Sequence, residues 1–283
     1  MADADFTIPN ERLPEGFAET VETIPVDPAV PRPAATVVLT RDSSEGRMEV
    51  LLLRRNRSSG FVPGAWVFPG GRVDAADADP ALEPHTRGLT AIAAAERLAV
   101  PPGDRAGIAY YLASVREAFE ETGILLGSTA GGGVVPAAAL DPHVDRARID
   151  LLEDRVPFAE ILERQNWVVD LESVQYLAHW ITPLAEPRRY DTRFFLARVS
   201  PESRARLDER EMIAEQWLTP EAALAAWSGD TLPMVFPTIK TLEALRPFEQ
   251  VGEALDHFRD SVVPSILPRL VRTSTGVGIE IPE

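Results

Sequence analysis

The sequence predicts an α/β (α+β) fold in which a mixed sheet lies between layers of helices. Three observations favour this class: apolar runs typical of strands precede residue 70, one long helical pattern stands in the middle of the chain, and helical patterns with prolines at their joints follow residue 220. With 283 residues and 45% hydrophobic side chains, the chain can bury a sizeable core. This length fits one large domain or two small ones.

The first elements are predicted to be strands. Residues 1–33 carry acids and prolines without clear periodicity, so we expect an extended N-terminal arm. The apolar runs 34–40 and 48–54, separated by Asp-Ser-Ser-Glu-Gly, predict a β-hairpin. The run 66–68 predicts a third short strand, which ends at the Pro-Gly-Gly of 69–71.

The clearest helix is predicted over 108–122, where Gly123 follows in the position of a left-handed cap. A small-residue loop is predicted over 127–133. The other predicted elements are helices at 89–98 and at 140–165, the latter broken at Pro157, and strands at 175–182, 193–199 and 211–218.

The end of the chain is predicted to be helical. Helices are expected over 220–227, 238–245, 249–260 and 265–271. The domain organisation predicted from these patterns is an arm over 1–33, a main domain over 34–245 and a helical C-terminal extension over 246–283.

Composition excludes several classes of function. A formal net charge of −16 argues against sequence-independent nucleic-acid or anionic-membrane binding, because both partners need a cationic surface. The absence of cysteine excludes disulfides, thiolate nucleophiles and cysteine-ligated zinc. Residues 1–6 lack the layout of a secretory signal, and no run approaches ~18 apolar residues. We therefore expect a cytoplasmic protein without nucleic-acid or membrane partners.

The helix over 108–122 places three carboxylates together. Its buried stripe is predicted to contain Ile108, Leu112, Val115 and Phe119. Glu117, Glu120 and Glu121 share the opposite side at spacings of three and four residues, where like charges destabilise a helix unless a cation is present. Mg²⁺ prefers such oxygen ligands. Two interpretations follow from the pattern, a metal site and a solvated acidic face.

The residues around these glutamates match a known motif. Segment 116–124 reads Arg-Glu-Ala-Phe-Glu-Glu-Thr-Gly-Ile, which matches the second half of the Nudix box, and Phe-Pro-Gly-Gly at 68–71 supplies the first half. The chain thus resembles a Nudix hydrolase over about 34–245. Asp77 stands where the family has glutamate, and an insertion over 78–108 splits the box. A split of this kind resembles the branch that includes a peroxisomal hydrolase of coenzyme A and its acyl thioesters.

This resemblance implies a Nudix α/β/α sandwich and hydrolysis of a diphosphate linkage with Mg²⁺ or Mn²⁺ as cofactor. The substrate expected first is coenzyme A or an acyl-coenzyme A. The alternatives are ADP-ribose, NADH or a nucleotide sugar, and a catalytically silent module that binds a nucleotide. The resemblance also implies the metal ligands, which are Glu117, Glu120, Glu121 and the carbonyl oxygen of Gly70 or Gly71. Asp77 either backs this ligand shell or caps the start of the insertion.

Further roles are expected for neighbouring residues. Arg116 is expected to fix a glutamate through a bidentate pair, because a guanidinium fork matches a carboxylate. Glu120 is the first candidate for the general base, and Glu211 and Glu215 are the loop alternatives. Because Lys240 is the only lysine, the cations for substrate phosphates must be arginines, and the nearest in sequence are Arg54, Arg55, Arg57 and Arg72. The expected partners are a small nucleotide-type molecule and a second copy of the chain in a homodimer.

Overall fold

The computed structural model describes residues 6–9, 21–23, 25–57, 62–101, 103, 105–208 and 210–282. Most of the predicted N-terminal arm therefore lies outside the described residues. The strands are β1 (Phe6–Pro9), β2 (Arg32–Asp42), β3 (Met48–Arg55), β4 (Trp66–Val67), β5 (Gly70–Arg72), β6 (Thr86–Arg87), β7 (Gly127–Thr129), β8 (Trp167–Asp170), β9 (Val174–Ile181), β10 (Tyr190–Arg198), β11 (Met212–Leu218), β12 (Ser265–Ile266), β13 (Arg269–Arg272) and β14 (Gly276–Glu280). The α-helices are α1 (Ala91–Arg97), α2 (Ala106–Thr122), α3 (Pro142–Leu152), α4 (Phe158–Gln165), α5 (Pro220–Ser228), α6 (Phe236–Leu245) and α7 (Val251–Arg259).

The main sheet is mixed and has the strand order β11-β3-β2-β10-β9-β12. β2 and β3 form the predicted antiparallel hairpin, while β10 runs parallel to β2 and antiparallel to β9. The short strands β4 and β5 add to β3 and β2 respectively. This arrangement places the Pro-Gly-Gly segment beside β2, near the middle of the sheet.

Helices cover both faces of this sheet. Successive residues of a strand point to opposite faces, so each strand contributes side chains to two cores. On β2 and β3, Val37, Leu39, Leu51 and Leu53 join the core beneath α2. Val38, Val50 and Leu52 join the core beneath α5, α6 and α7. The predicted α/β/α architecture is confirmed by this pair of cores.

Helix α2 is the centre of the first core. The predicted stripe of Ile108, Leu112, Val115 and Phe119 is buried. The helix ends as expected, since Gly123 adopts a left-handed conformation at φ 69° and its N–H donates to Phe119 O at 2.8 Å. The glutamate side of the helix is covered as well, by β5 and the 3₁₀ turn Ala75–Ala78.

The insertion within the box consists of short elements. Two 3₁₀ turns, Ala75–Ala78 and Pro80–His85, lead to β6 and then to α1. α1 packs against the start of α2, where Gly107 allows the helices to approach because a Cβ there would lie 2.6 Å from Ala95 Cα. The excursion therefore folds back beside α2 and leaves the helix whole.

Two elements differ from the sequence predictions. The segment 265–271, predicted to be a helix, forms β12 and β13, so the predicted helical C-terminal extension is helical only through α7. Pro268 interrupts any helix there because it has no N–H to donate, and β13 pairs with β14, which also pairs with β1 from the other end of the chain. The small-residue loop predicted at 127–133 begins with β7, which pairs with the unpredicted β8.

Candidate active site

The three glutamates of α2 lie together and are largely buried. Glu121 is only 7% exposed, and the side chains of Glu117 and Glu120 are 14% and 19% exposed. They are therefore not a solvated acidic face. At the end of this helix, the buried Arg148 of α3 donates from Nε to Glu120 O at 2.8 Å. A positive charge in this position stabilises the helix, because it lies at the negative end of the helix dipole. The glutamate charges near the same end have the opposite effect.

Arg116 connects these glutamates to the start of the insertion. It binds Asp77 through both oxygens, with Nε to Oδ1 at 2.7 Å and Nη2 to Oδ2 at 3.0 Å. Its Nη1 donates to Glu117 Oε1 at 2.9 Å and to Glu120 Oε2 at 3.1 Å. Arg116 was expected to form a bidentate pair with a glutamate, and this expectation was wrong about the partner. The bidentate partner is Asp77, and the two glutamates share the remaining nitrogen.

Asp77 makes contacts that fit both of the roles that the sequence left open. It is 1% exposed, and through Arg116 it backs the glutamate cluster. Its Oδ2 also accepts the Asp74 N–H at 2.8 Å at the start of the 3₁₀ turn. Both Asp77 oxygens are engaged by these donors, so the side chain is arranged to hold Arg116 in place.

The glycines of β5 allow the backbone to approach the carboxylates. A Cβ at Gly70 would lie 2.5 Å from the Ala35 backbone oxygen, and a Cβ at Gly71 would collide with the Glu117 carboxylate. The Gly70 N–H donates to Glu121 Oε2 at 3.0 Å. Because the N–H and C=O of one strand residue point to the same side, the Gly70 carbonyl also points away from β2 and toward α2.

Burial raises the pKa of all three glutamates. It raises the pKa of Glu117 to about 7, although the Arg116 charge opposes the shift. Burial also raises the pKa of Glu120, and it raises the pKa of Glu121 well above its usual value with the neighbouring Glu117 adding to the effect. The causes are desolvation and mutual repulsion, both of which a bound cation would relieve.

The donor set fits a hard divalent cation. It consists of carboxylate oxygens and a backbone carbonyl on one side of a cleft, which is the ligand type that Mg²⁺ and Mn²⁺ take. Within the described ranges, no three or more carboxylate or imidazole groups already stand at metal-binding distances from one another. Nη1 of Arg116 donates to both Glu117 and Glu120, so a bound cation would compete with Arg116 for these two carboxylates.

The glutamates open onto a cleft of about 2150 Å³. Of the four arginines predicted to bind phosphate, Arg55 and Arg72 line this cleft, whereas Arg54 and Arg57 do not. Strand alternation separates Arg54 from Arg55, because Arg55 follows Leu53 on the face toward α2 while Arg54 follows Leu52 on the other face.

Other cleft residues were not predicted. Asp74, Arg188 and Arg210 line the cleft. Asp74 follows the Phe-Pro-Gly-Gly segment by three residues, and Arg210 directly precedes the strand predicted at 211–218. The two loop candidates for a general base are separated by the structure. Glu211 lines the cleft, whereas Glu215 Oε2 accepts the Ala205 N–H at 3.1 Å and holds a loop.

A family model described as the NUDT19 Nudix domain matches residues 82–245, more than half of the chain. The chain belongs to the Nudix hydrolase family. The resemblance and the fold class predicted from the sequence are both confirmed. The predicted boundaries of the main domain and of the insertion stay predictions, since the match begins at residue 82, after the central strands β2 and β3.

Relatives within the Nudix family have similar sequences and structures. The acyl-coenzyme A diphosphatase NUDT19 of Gallus gallus is 29% identical over 245 residues, which cover 72% of this chain and 63% of that protein. The Homo sapiens protein of the same name is 29% identical over 251 residues, covering 78% and 67%. The chain thus spans less than two thirds of the Gallus gallus protein. The crystal structure of a NUDIX hydrolase from Alicyclobacillus acidocaldarius matches with a TM-score of 0.69 and 29% identity, covering 83% of this chain and 99% of that one.

Among the helices that the structure describes, none has both the length and the apolar character needed to cross a bilayer.

Proposed function

We propose that this chain hydrolyses the diphosphate linkage of a nucleoside diphosphate derivative, with coenzyme A or an acyl-coenzyme A as substrate and Mg²⁺ or Mn²⁺ as cofactor. The observation that carries the proposal is the cluster of Glu117, Glu120 and Glu121 around the Gly70 backbone, held by Arg116. The acyl-coenzyme A diphosphatases to which the chain is similar support the choice of substrate.

The contacts support a proposed role for each residue. Glu117, Glu120, Glu121 and the Gly70 carbonyl would hold the cation, which when bound neutralises the diphosphate and lowers the pKa of the attacking water. Arg116 and Asp77 keep two of these carboxylates in place, so Asp77 acts as a positioning residue and not as a direct ligand.

Residues that line the cleft are proposed to bind the substrate phosphates and to accept the proton of the attacking water. Arg55 and Arg72 would contact the substrate phosphates, because both line the cleft beside the glutamates. Glu120 is the proposed general base, since it is the most exposed of the three glutamates. Glu211 is the second candidate because it lines the same cleft. A base must reach the attacking water, and Glu215, which does not line the cleft, does not meet that requirement.

The proposal is tested by measuring release of 3′,5′-ADP from coenzyme A with Mg²⁺, with Mn²⁺ and with a chelator. We expect turnover only with metal. The variant Glu120→Gln should lower kcat by at least about 100-fold while the melting temperature is retained. Glu163→Gln, an exposed glutamate on α4, is the matched control and should behave as the unmodified protein.

Each alternative predicts a different outcome of this assay. Turnover of ADP-ribose, NADH or a nucleotide sugar without turnover of coenzyme A would reject the substrate and keep the reaction class. Nucleotide binding without turnover of any of these compounds would indicate a silent module. Equal activity of Glu120→Gln and the unmodified protein would show that the assigned site is wrong.

We further propose a cytoplasmic location and a homodimer. A chain without cysteine suits a reducing compartment, and dimerisation is the expectation that accompanies the family resemblance. Sedimentation at several concentrations tests the dimer, and a single monomeric species at all of them would reject it.

A further inference from the structure

The cleft has two ends of different chemistry. The glutamates and arginines occupy one end, and large apolar side chains line the other, among them Ile8, Trp227, Phe236, Leu270 and Ile279. Ile8 and Trp227 are only partly buried, whereas Phe236, Leu270 and Ile279 are buried members of the second core behind them. Apolar surface that remains open in a cleft beside a polar site commonly marks the place where a ligand is bound.

The wall at the apolar end is built from both ends of the chain. β1 pairs with β14, so that Phe6 lies opposite Ile279, and β14 pairs with β13, so that Ile279 lies opposite Leu270. These three strands lie outside the segment 82–245 that matches the family model, whereas Trp227 and Phe236 of the same wall lie within it. Phe6 also stacks on Trp227 of α5, with ring centroids 6.2 Å apart.

In β1, β13, β14 and α6, the described residues that line the cleft carry no charge, and the nearest acid in the lining is Asp230 after α5. The residues of β1, β13, β14 and α6 that line the cleft are Phe6, Thr7, Ile8, Phe236, Pro237, Thr238, Leu270, Val277 and Ile279. Burying an ionised group against such a surface without a partner is strongly unfavourable, whereas burying methylene groups is favourable. The surface therefore suits an uncharged, apolar part of a ligand.

We propose that this apolar end binds the acyl arm of an acyl-thioester substrate while the diphosphate lies at the glutamates. The inference rests on the proposed function. The glutamates and the apolar wall line the same cleft, so one extended substrate can reach both. Binding of the arm is remote from the diphosphate, so it acts on KM and on affinity more than on kcat.

The expected effect can be given per methylene group. Each buried methylene strengthens binding by about four-fold. Lengthening the acyl chain should therefore lower KM in steps until the apolar end is filled, after which KM levels off. Free coenzyme A, which has no acyl group, should have the highest KM of the series.

The test compares two substitutions on the same small sheet. Ile8→Gln places an amide on the cleft side of β1, and Val271→Gln is the matched control, because Val271 of β13 is also a half-buried aliphatic residue but does not line the cleft. We expect Ile8→Gln to raise the KM ratio of decanoyl-coenzyme A to coenzyme A at least tenfold and Val271→Gln to leave the ratio unchanged. Trp227→Leu should move the ratio in the same direction as Ile8→Gln, which keeps the test valid if one variant does not fold.

A binding measurement separates this inference from the proposed function. Decanoyl-pantetheine and pantetheine contain neither nucleotide nor diphosphate, and calorimetry reports their binding to the unmodified protein without turnover. At least tenfold tighter binding of decanoyl-pantetheine supports the acyl site even if coenzyme A is not hydrolysed. Equal binding of the two compounds, or a KM ratio that neither Ile8→Gln nor Trp227→Leu changes, overturns the acyl site even if coenzyme A is hydrolysed.

Discussion

Replacing Asp77 by alanine should destabilise the fold and disorganise the glutamate cluster. Asp77 is 1% exposed and receives two bonds from Arg116, at 2.7 and 3.0 Å, and one from the Asp74 N–H at 2.8 Å. The substitution leaves the buried Arg116 charge without its bidentate partner. Removing one member of a buried ion pair typically costs about 3–5 kcal/mol. Because Arg116 keeps its bonds to Glu117 and Glu120, we expect the lower end of this range, about 3 kcal/mol.

Urea denaturation of the metal-free protein measures this free energy of unfolding. The matched control is Asp74→Ala, because Asp74 also faces Arg116 but at 3.8 Å and with its side chain 54% exposed. An exposed pair contributes about 0–1 kcal/mol, so this variant should stay within about 1 kcal/mol of the unmodified protein. Equal losses in the two variants would refute the argument that burial and bidentate geometry make Asp77 the support of Arg116.

Three further predictions concern the same site. Gly71→Ala should displace the flexible Glu117 side chain and weaken Mn²⁺ binding at least tenfold by calorimetry, with little change in stability. Arg148→Met should lower the free energy of unfolding by about 1–3 kcal/mol in urea, because Glu120 O loses its buried donor. Burial raises the pKa of Glu117 from 4.5 to about 7, so the native chain binds more protons than the unfolded chain in that interval. The stability of the metal-free protein should therefore fall as pH rises from about 4.5 to about 7, and Glu117→Gln should reduce this fall.

Controls for these predictions are available on the same elements. Gly131→Ala lies in an exposed loop and should leave Mn²⁺ affinity unchanged, so an equal loss there would contradict the close approach at Gly71. Arg146→Met changes an exposed arginine on the helix that carries Arg148 and should cost at most about 0.5 kcal/mol. Stability that rises with pH in the metal-free protein would contradict the burial of Glu117.

Local periodicity was sufficient for the centre of the site. The spacing of Glu117, Glu120 and Glu121 puts them on one side of α2 because a helix repeats every 3.6 residues, and the glycine after Thr122 ends the helix as predicted. The hairpin of β2 and β3 was also predicted from neighbouring residues, since two apolar runs with turn residues between them lie within about twenty positions.

Contacts between distant segments could not be predicted in this way. The bidentate partner of Arg116 is Asp77, which the insertion separates from it in sequence. Arg54 and Arg55 are adjacent and chemically identical, and only the register of β3 in the sheet decides which one lines the cleft. The apolar pattern at 265–271 fits helix and strand alike, so its strand form depends on pairing partners elsewhere in the chain.

The sequence by itself determined the α/β class, the helix with its three carboxylates and the family to which the chain belongs, because each depends on residues that are close together along the chain. Only the tertiary structure decided what surrounds those carboxylates. Contacts between segments far apart in sequence bury these carboxylates and bring Asp77 to Arg116. Such contacts also place Arg55 and Arg72 in the cleft and pair β1 with β14 in the apolar wall. Burial and long-range pairing depend on the folded chain as a whole, so local periodicity cannot define them.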